Sequence, residues 1–332
     1  MNYDAVALGE YLIDFTPQGL SDAGQPVFER NPGGAPVNVV AAMAKLGMKT
    51  GFIGKVGNDP FGRYLRQALL QQGVSDSGLI TSDEAHTTMA FIHLDSQGER
   101  SFHFSRKPGA DQLLREDEVN LALLEGARIF HFGSISMTAE PAYSATIKSA
   151  QRAKEKGSLI SYDPNWRPSL WEDEQHAREA IHAGLRLADL VKVSEEEIIF
   201  LTGQEDIEIA SKQLVERYSI QLLVVTAGSI GSFYRMNDWW GQVDSYSVYT
   251  VDTTGAGDGF LGAFLHEVLK LGKLLHAWSE DELRSALRFA NAAGALATTR
   301  KGAIPSLGTI EEIDALMLAG NCYRSLGVRV RK

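Results

Sequence analysis

The chain has 332 residues, 44% of them hydrophobic, enough to bury a large core as one big α/β domain or two smaller ones. A formal net charge of -10 argues against nucleic acid or an anionic membrane as the main partner. The single cysteine, Cys322, excludes an internal disulfide framework and a cysteine-based zinc site, and suits a reducing cytoplasm. The opening residues carry no basic stretch of the secretory type, and no apolar run approaches the ~18 residues of a membrane span. The expectation is a cytoplasmic protein.

Short apolar runs predict strands at 5–9, 51–56, 127–132, 159–163, 190–193 and 222–226, with a further strand at 246–251. Helical spacing predicts helices at 37–46, 61–72, 142–156, 177–188, 207–218, 259–271, 282–298 and 310–318. Alternation of this kind implies a doubly wound, mostly parallel sheet covered by helices on both faces. Two stretches break it. Residues 87–94 and 100–104 flank the turn Asp95-Ser96-Gln97-Gly98 as a hairpin would, and 12–30 is strand-capable but irregular. They predict a small inserted β-layer, formed by about 12–31 and 87–106, that closes over a site as a lid or meets a second copy of the chain. The whole chain, 1–332, then reads as one domain with this insertion.

The most informative residues are Asp252-Thr253-Thr254-Gly255-Ala256-Gly257-Asp258-Gly259. They join an expected strand to an expected helix. The amides of Gly255, Ala256 and Gly257 would face outward at the positive end of the helix dipole, where a phosphate binds. Asp258, in the first turn, could take a proton from a hydroxyl attacking that phosphate. An ordinary strand–helix turn capped by Asp258 is the competing reading. The match of Gly257 to Gly262 with a dinucleotide fingerprint is weak, because it falls late in the chain and sets an Asp against the pyrophosphate. No P-loop sequence occurs.

Ligands of an open parallel sheet bind beyond the carboxyl ends of its strands. Glu10 and Asp14 follow the first strand. Gly33-Gly34-Ala35-Pro36-Val37-Asn38 precedes a helix; the paired glycines admit close approach and Asn38 offers both donor and acceptor. Asp163, Asn165 and Arg167 alternate with Pro164 and Trp166, and extended backbone there would send all three to one side. Carboxylates and amides bind vicinal hydroxyls, and arginine forks onto anionic oxygen. This equipment suits a sugar and a phosphate.

Both glycine motifs, with 52–62 following the first, resemble the ribokinase-like (pfkB-type) carbohydrate kinases over nearly the whole length. The segments 9–15 and 163–171 are most similar to the fructokinases. The resemblance implies ATP-dependent transfer of a phosphoryl group to a primary hydroxyl, most like D-fructose to fructose 6-phosphate. Related possibilities are 2-keto-3-deoxygluconate or a riboside as substrate; a non-catalytic sugar-binding regulator is the alternative of another class. It implies Asp258 as catalytic base and Gly255, Ala256 and Gly257 as the anion hole. Asp14, Gly33, Gly34, Asn38, Arg106, Asp163, Asn165 and Arg167 would meet the sugar, with Arg106 reaching in from the lid and Arg167 near the sugar or the γ-phosphate. Thr226, Gly228, Gly231 and Asn291 would line the nucleotide. Asp252, the carbonyls of Thr254, Ala297, Arg300 and Gly302, and Ser306 match a potassium site. Ser194 and Glu197 match a magnesium-associated motif in which Ser194 stands where asparagine is usual. The implied cofactors are ATP, Mg²⁺ and K⁺.

Other residues read as structure. His131 near Ser134 is a core histidine, not part of a catalytic triad. His93 and His103 are expected to face each other on the hairpin without metal. Trp239-Trp240 reads as packing, Glu195 and Glu196 as a solvated helix face, and 329–332 as a solvated tail.

Overall fold

A computed structural model describes residues 3–94 and 100–325. The expected turn 95–98 and the tail 329–332 lie outside the described residues. The chain divides into two compact units, 1–41 with 49–188 and 42–48 with 189–332.

The first unit is built on a parallel sheet. Its strands are β1 (Tyr3–Leu8), β4 (Thr50–Gly57), β5 (Ser75–Ser82), β8 (Ala127–Gly133) and β9 (Leu159–Asp163), in the order β9-β8-β1-β4-β5. Every residue of β4 is buried, as a strand covered on both faces requires. Lys55 is buried with it because its ammonium finds Glu118 at 2.6 Å and the Leu113 carbonyl at 3.0 Å. Helices α1 (Ala35–Lys45), α2 (Pro60–Gln71), α3 (Leu121–Glu125), α4 (Ala142–Glu155) and α5 (Glu174–Leu185) follow the strands.

Part of the 52–62 motif serves this scaffold. Asp59 caps α2 by accepting the Gly62 N–H at 2.8 Å, and its carboxylate also takes the N–H and hydroxyl of Thr87. A Cβ on Gly62 would stand 2.0 Å from the Gly57 carbonyl, so the close turn needs glycine there.

The inserted layer is a separate four-stranded sheet of β2 (Leu12–Leu20), β3 (Pro26–Gly33), β6 (Met89–Leu94) and β7 (Arg100–Ser105), ordered β3-β2-β6-β7. Phe15 and Phe91 are register partners on β2 and β6, with their rings stacked at 4.9 Å. The register corrects one expectation: His103 pairs with Phe91 and His93 with Ser101, so the two histidines do not oppose each other.

The second unit carries β10 (Leu190–Ser194) and β11 (Leu222–Thr226) in parallel, then an antiparallel hairpin of β12 (Gly231–Met236) and β13 (Trp239–Asp244). That hairpin was not anticipated; Asn237, at φ 52, makes its tight turn. Trp240 packs on Phe233 at 5.6 Å, as its structural reading required. The helices are α6 (Glu195–Thr202), α7 (Ile207–Tyr218), α8 (Ala256–Leu271), α9 (Glu280–Ala297) and α10 (Ile310–Ser325). Residues Leu46, Ala263, Phe289, Ala292, Ala293 and Ile313 form a core among α8, α9 and α10. Residues 246–251 are not a strand: they run without regular structure toward α8. Among the described residues no helix is long and apolar enough to cross a membrane.

Candidate active site

In the first unit, the end of β1, the start of β2 and the turn before α1 bring Glu10, Asp14, Gly33, Gly34 and Asn38 together. A Cβ on Gly33 would fall 2.0 Å from the Asp14 carboxylate, and one on Gly34 would fall 2.4 Å from the Glu10 carbonyl. Gly34 also sits at φ 130, which a larger residue resists. The paired glycines therefore leave room for two neighbours that already occupy the space. Asn38, buried on α1, donates its backbone N–H to the Gly34 carbonyl at 3.0 Å.

Asp163 ends β9 and is buried; its carboxylate accepts the Asn165 N–H at 3.1 Å. Asn165 lies at φ 46, in the left-handed region, so the expected extended alternation of Asp163, Asn165 and Arg167 does not hold. A left-handed asparagine is tolerated where a side chain replaces a backbone partner, and such strain gathers at binding sites. The loop is fixed from below: the Pro164 carbonyl accepts both the N–H and the hydroxyl of Ser134. His131 meets the Ser161 hydroxyl at 3.1 Å, so it and Ser134 hold the scaffold. Arg106, just beyond β7, is buried. Its guanidinium donates to Asp111 at 2.8 Å, Thr138 at 2.8 Å and the Ile135 carbonyl at 2.9 Å.

In the second unit, a cavity of ≈ 540 Å³ runs from the end of β11 to the first turn of α8. Thr226, Gly228, Gly231 and Asn291 line it, and so do Ala256 and Gly257. Asn291 is buried and donates to the Val243 carbonyl at 2.9 Å. The unstructured run 245–250 supplies Tyr246 and Val248 as a wall. Helix α9 approaches through a glycine: a Cβ on Gly294 would press at 3.2 Å on the Ala256 carbonyl. Tyr246, Val248 and Gly294 were not assigned from sequence, although the small-residue run 290–297 was a legible sign of close helix packing.

Gly255, at φ 76, turns the chain into α8, and a Cβ there would stand 2.7 Å from Ala303 Cα. Ala256 N–H leans to the Thr253 carbonyl at 3.3 Å, so it is not wholly outward as expected. Gly257 and Asp258 follow in the first helical turn, which has no carbonyls of its own helix to receive its N–H groups. A Cβ on Gly257 would come within 3.2 Å of the Lys192 ammonium. Lys192, buried on β10 two residues before Ser194, carries no role in the sequence reading. The free N–H groups of a helix N-terminus favour an anion, and Lys192 stands beside them.

Asp252 is buried, with one oxygen accepting Thr254 N–H at 2.8 Å and the other Gly302 N–H at 3.0 Å. The Ser306 hydroxyl donates to the Ala303 carbonyl at 2.7 Å, leaving its oxygen to accept or coordinate. Ala297 closes α9, and Arg300 pairs with Glu312. A carboxylate combined with carbonyl and hydroxyl oxygens would be a donor set for a hard cation. Ser194 and Glu197 form a capping box at the start of α6: Ser194 Oγ accepts Glu197 N–H at 3.2 Å, and the Glu197 carboxylate accepts Ser194 N–H at 2.7 Å. Serine therefore does the capping that asparagine also performs.

A model of the pfkB family carbohydrate kinases matches residues 3–310. Fructokinase-1 of Zea mays is 46% identical over 314 residues, covering 94% of this chain and 97% of the relative. The crystal structure of a fructokinase with bound ATP from Xylella fastidiosa superposes with a TM-score of 0.88 at 34% identity, covering 96% of this chain and 99% of that one. A fructokinase from Vibrio cholerae O395, solved with fructose, ADP and calcium ion, gives 0.86 at 35% identity over 95% and 99% of the two chains. With its two glycine turns, its mostly parallel sheets and its second, small sheet, the chain belongs to the pfkB family of carbohydrate kinases.

Proposed function

We propose that this chain is an ATP-dependent fructokinase, transferring the γ-phosphoryl of ATP to the primary hydroxyl of D-fructose to give fructose 6-phosphate. The observation that carries the reading is the cavity that ends on Gly257 in the first turn of α8, one residue before a carboxylate. A nucleotide in that cavity, between Thr226 to Gly231 and Asn291, presents its phosphates to Gly255, Ala256 and Gly257. Asp258 takes the hydroxyl proton, and the amides, with the buried cation of Lys192, offset charge developing on the phosphoryl oxygens.

Asp14, Gly33, Gly34, Asn38, Asp163, Asn165 and Arg167 read the sugar. The small sheet of β2, β3, β6 and β7 would act as the lid of the sugar site, excluding water when it closes. Glu197, with Ser194 as its cap, suits a magnesium-associated role through water. Asp252, Ser306 and the carbonyls of Thr254, Ala297, Arg300 and Gly302 suit K⁺. Bound at these residues, magnesium would supply charge neutralisation for the phosphates, and potassium would steady the anion-hole turn. Arg106 and Arg167 could together suit a sugar acid. The Asp111 pairing of Arg106 weighs against this, because an arginine already neutralised by a buried carboxylate is a poor receptor for a second.

Coupled ADP release across D-fructose, ribose, adenosine, glucose and 2-keto-3-deoxygluconate tests the proposal. D-Fructose gives the highest kcat/KM. A keto-acid sugar ahead by an order of magnitude overturns the substrate while keeping the chemistry, and no ATP turnover with any of them leaves a sugar-binding regulator.

A further inference from the structure

Glu10 is a buried carboxyl that the proposed chemistry does not use. It follows β1, is 1% exposed, and grips the turn before α1 twice. Its Oε1 accepts the Ala35 N–H at 2.8 Å, and its backbone carbonyl fills the space that a Cβ on Gly34 would need. Its other carboxyl oxygen, Oε2, is buried with no hydrogen-bond partner among the described residues. The opposite side of the same turn is set by Asp14, whose carboxylate occupies the space a Gly33 side chain would take.

An oxygen buried without a donor is tolerable on a neutral carboxyl and costly on an ionised one. Burial, the largest influence, pushes this carboxyl from 4.5 up to about 7. The N–H groups of Glu10 and Ala35 work against that push, as does the Arg106 guanidinium, whereas the Asp111 carboxylate adds to it. Asp111 and Arg106 are paired with each other, so their fields on Glu10 largely offset. Ionised, Oε2 needs a donor. It gains one by admitting water or by rotating away from Ala35, and both loosen the turn.

We propose that Glu10 is a positioning residue of the sugar site: uncharged, it locks the Gly33-Gly34-Ala35 turn, and its ionisation lowers affinity for the sugar. The inference rests on reading Asp14, Gly33 and Gly34 as sugar ligands. Glutamine keeps an acceptor for Ala35, puts an amide donor where the second oxygen stands, and does not titrate.

The test is the KM for D-fructose in wild type and Glu10→Gln, from one pH unit below to two above the titration at about 7. The wild-type KM rises about tenfold across this interval, the worth of one buried hydrogen bond. That of Glu10→Gln stays level, and the KM for ATP is level in both. A Glu10→Gln profile parallel to wild type overturns the proposal. If the variant is recovered unfolded, the wild type decides alone, and a level fructose KM overturns it. A wild type that turns over no D-fructose at any pH instead removes the reading of the site, and with it the ground of the proposal.

Discussion

Asp252 and Gly302 are joined by a carboxylate-to-amide hydrogen bond of 3.0 Å, while the second Asp252 oxygen holds Thr254 at 2.8 Å. The turn that opens α8 is thereby tied to the turn that follows α9. The Val251 and Asp252 N–H groups add to the tie by donating to the Thr298 carbonyl. Asp252→Asn turns an amide N–H toward one of the two backbone donors and leaves that donor buried and unsatisfied, at about 1–3 kcal/mol. The expected outcome is a lower thermal midpoint together with a raised KM for ATP. An unchanged midpoint would show that the two turns are held by other contacts.

The same tie gives potassium its expected effect. A cation among Asp252, Ser306 and the neighbouring carbonyls would fix the amides of the α8 turn. After exhaustive dialysis, activity should climb with added potassium and saturate. Identical rates across the titration would count against the site.

Gly255→Ala places a methyl group 2.7 Å from Ala303 Cα at a residue whose φ is 76. Left-handed backbone alone costs an alanine about 1–2 kcal/mol. Gly157→Ala, at φ 88 with nothing within 4 Å, isolates that backbone cost. Gly255→Ala should lose more stability than Gly157→Ala and should also lose kcat. Equal denaturation midpoints with unchanged turnover would show that the Ala303 contact is soft.

Ser194→Ala removes the N-cap of α6 and should destabilise by about 1 kcal/mol, whereas Ser194→Asn should be nearly neutral because both side chains cap well. Urea denaturation of the two variants separates them. A large activity loss in Ser194→Asn would assign the hydroxyl a role beyond the cap.

The alternation of apolar runs and helical faces made the mostly parallel architecture readable, because continuous burial in β4 and helical periodicity in α9 are local properties. The two glycine turns were readable for the same reason: Gly33-Gly34 and Gly255 must be glycine for steric causes that short motifs preserve. Distance along the chain hid the rest. Lys192 lies beside Gly257 only once β10 and α8 are in place, and the motif at Ser194 and Glu197 does not reveal that contact. The apolar, β-branched run 246–251 looked like a strand, yet it finds no ladder and lines a cavity instead. Asn165 departs from the expected alternation because its own N–H turns back to Asp163, a local hydrogen bond that outweighs extended backbone.

If Asp258 removes the hydroxyl proton at an anion-binding turn, its loss must show in turnover, and kcat of Asp258→Asn with saturating D-fructose and ATP measures this. Asparagine preserves the shape of the first turn of α8 but cannot accept the proton. Turnover should fall by ~10²–10⁴-fold, with ATP still protecting the protein against thermal unfolding as it does in wild type. A kcat within a few-fold of wild type would show that Asp258 is not the base.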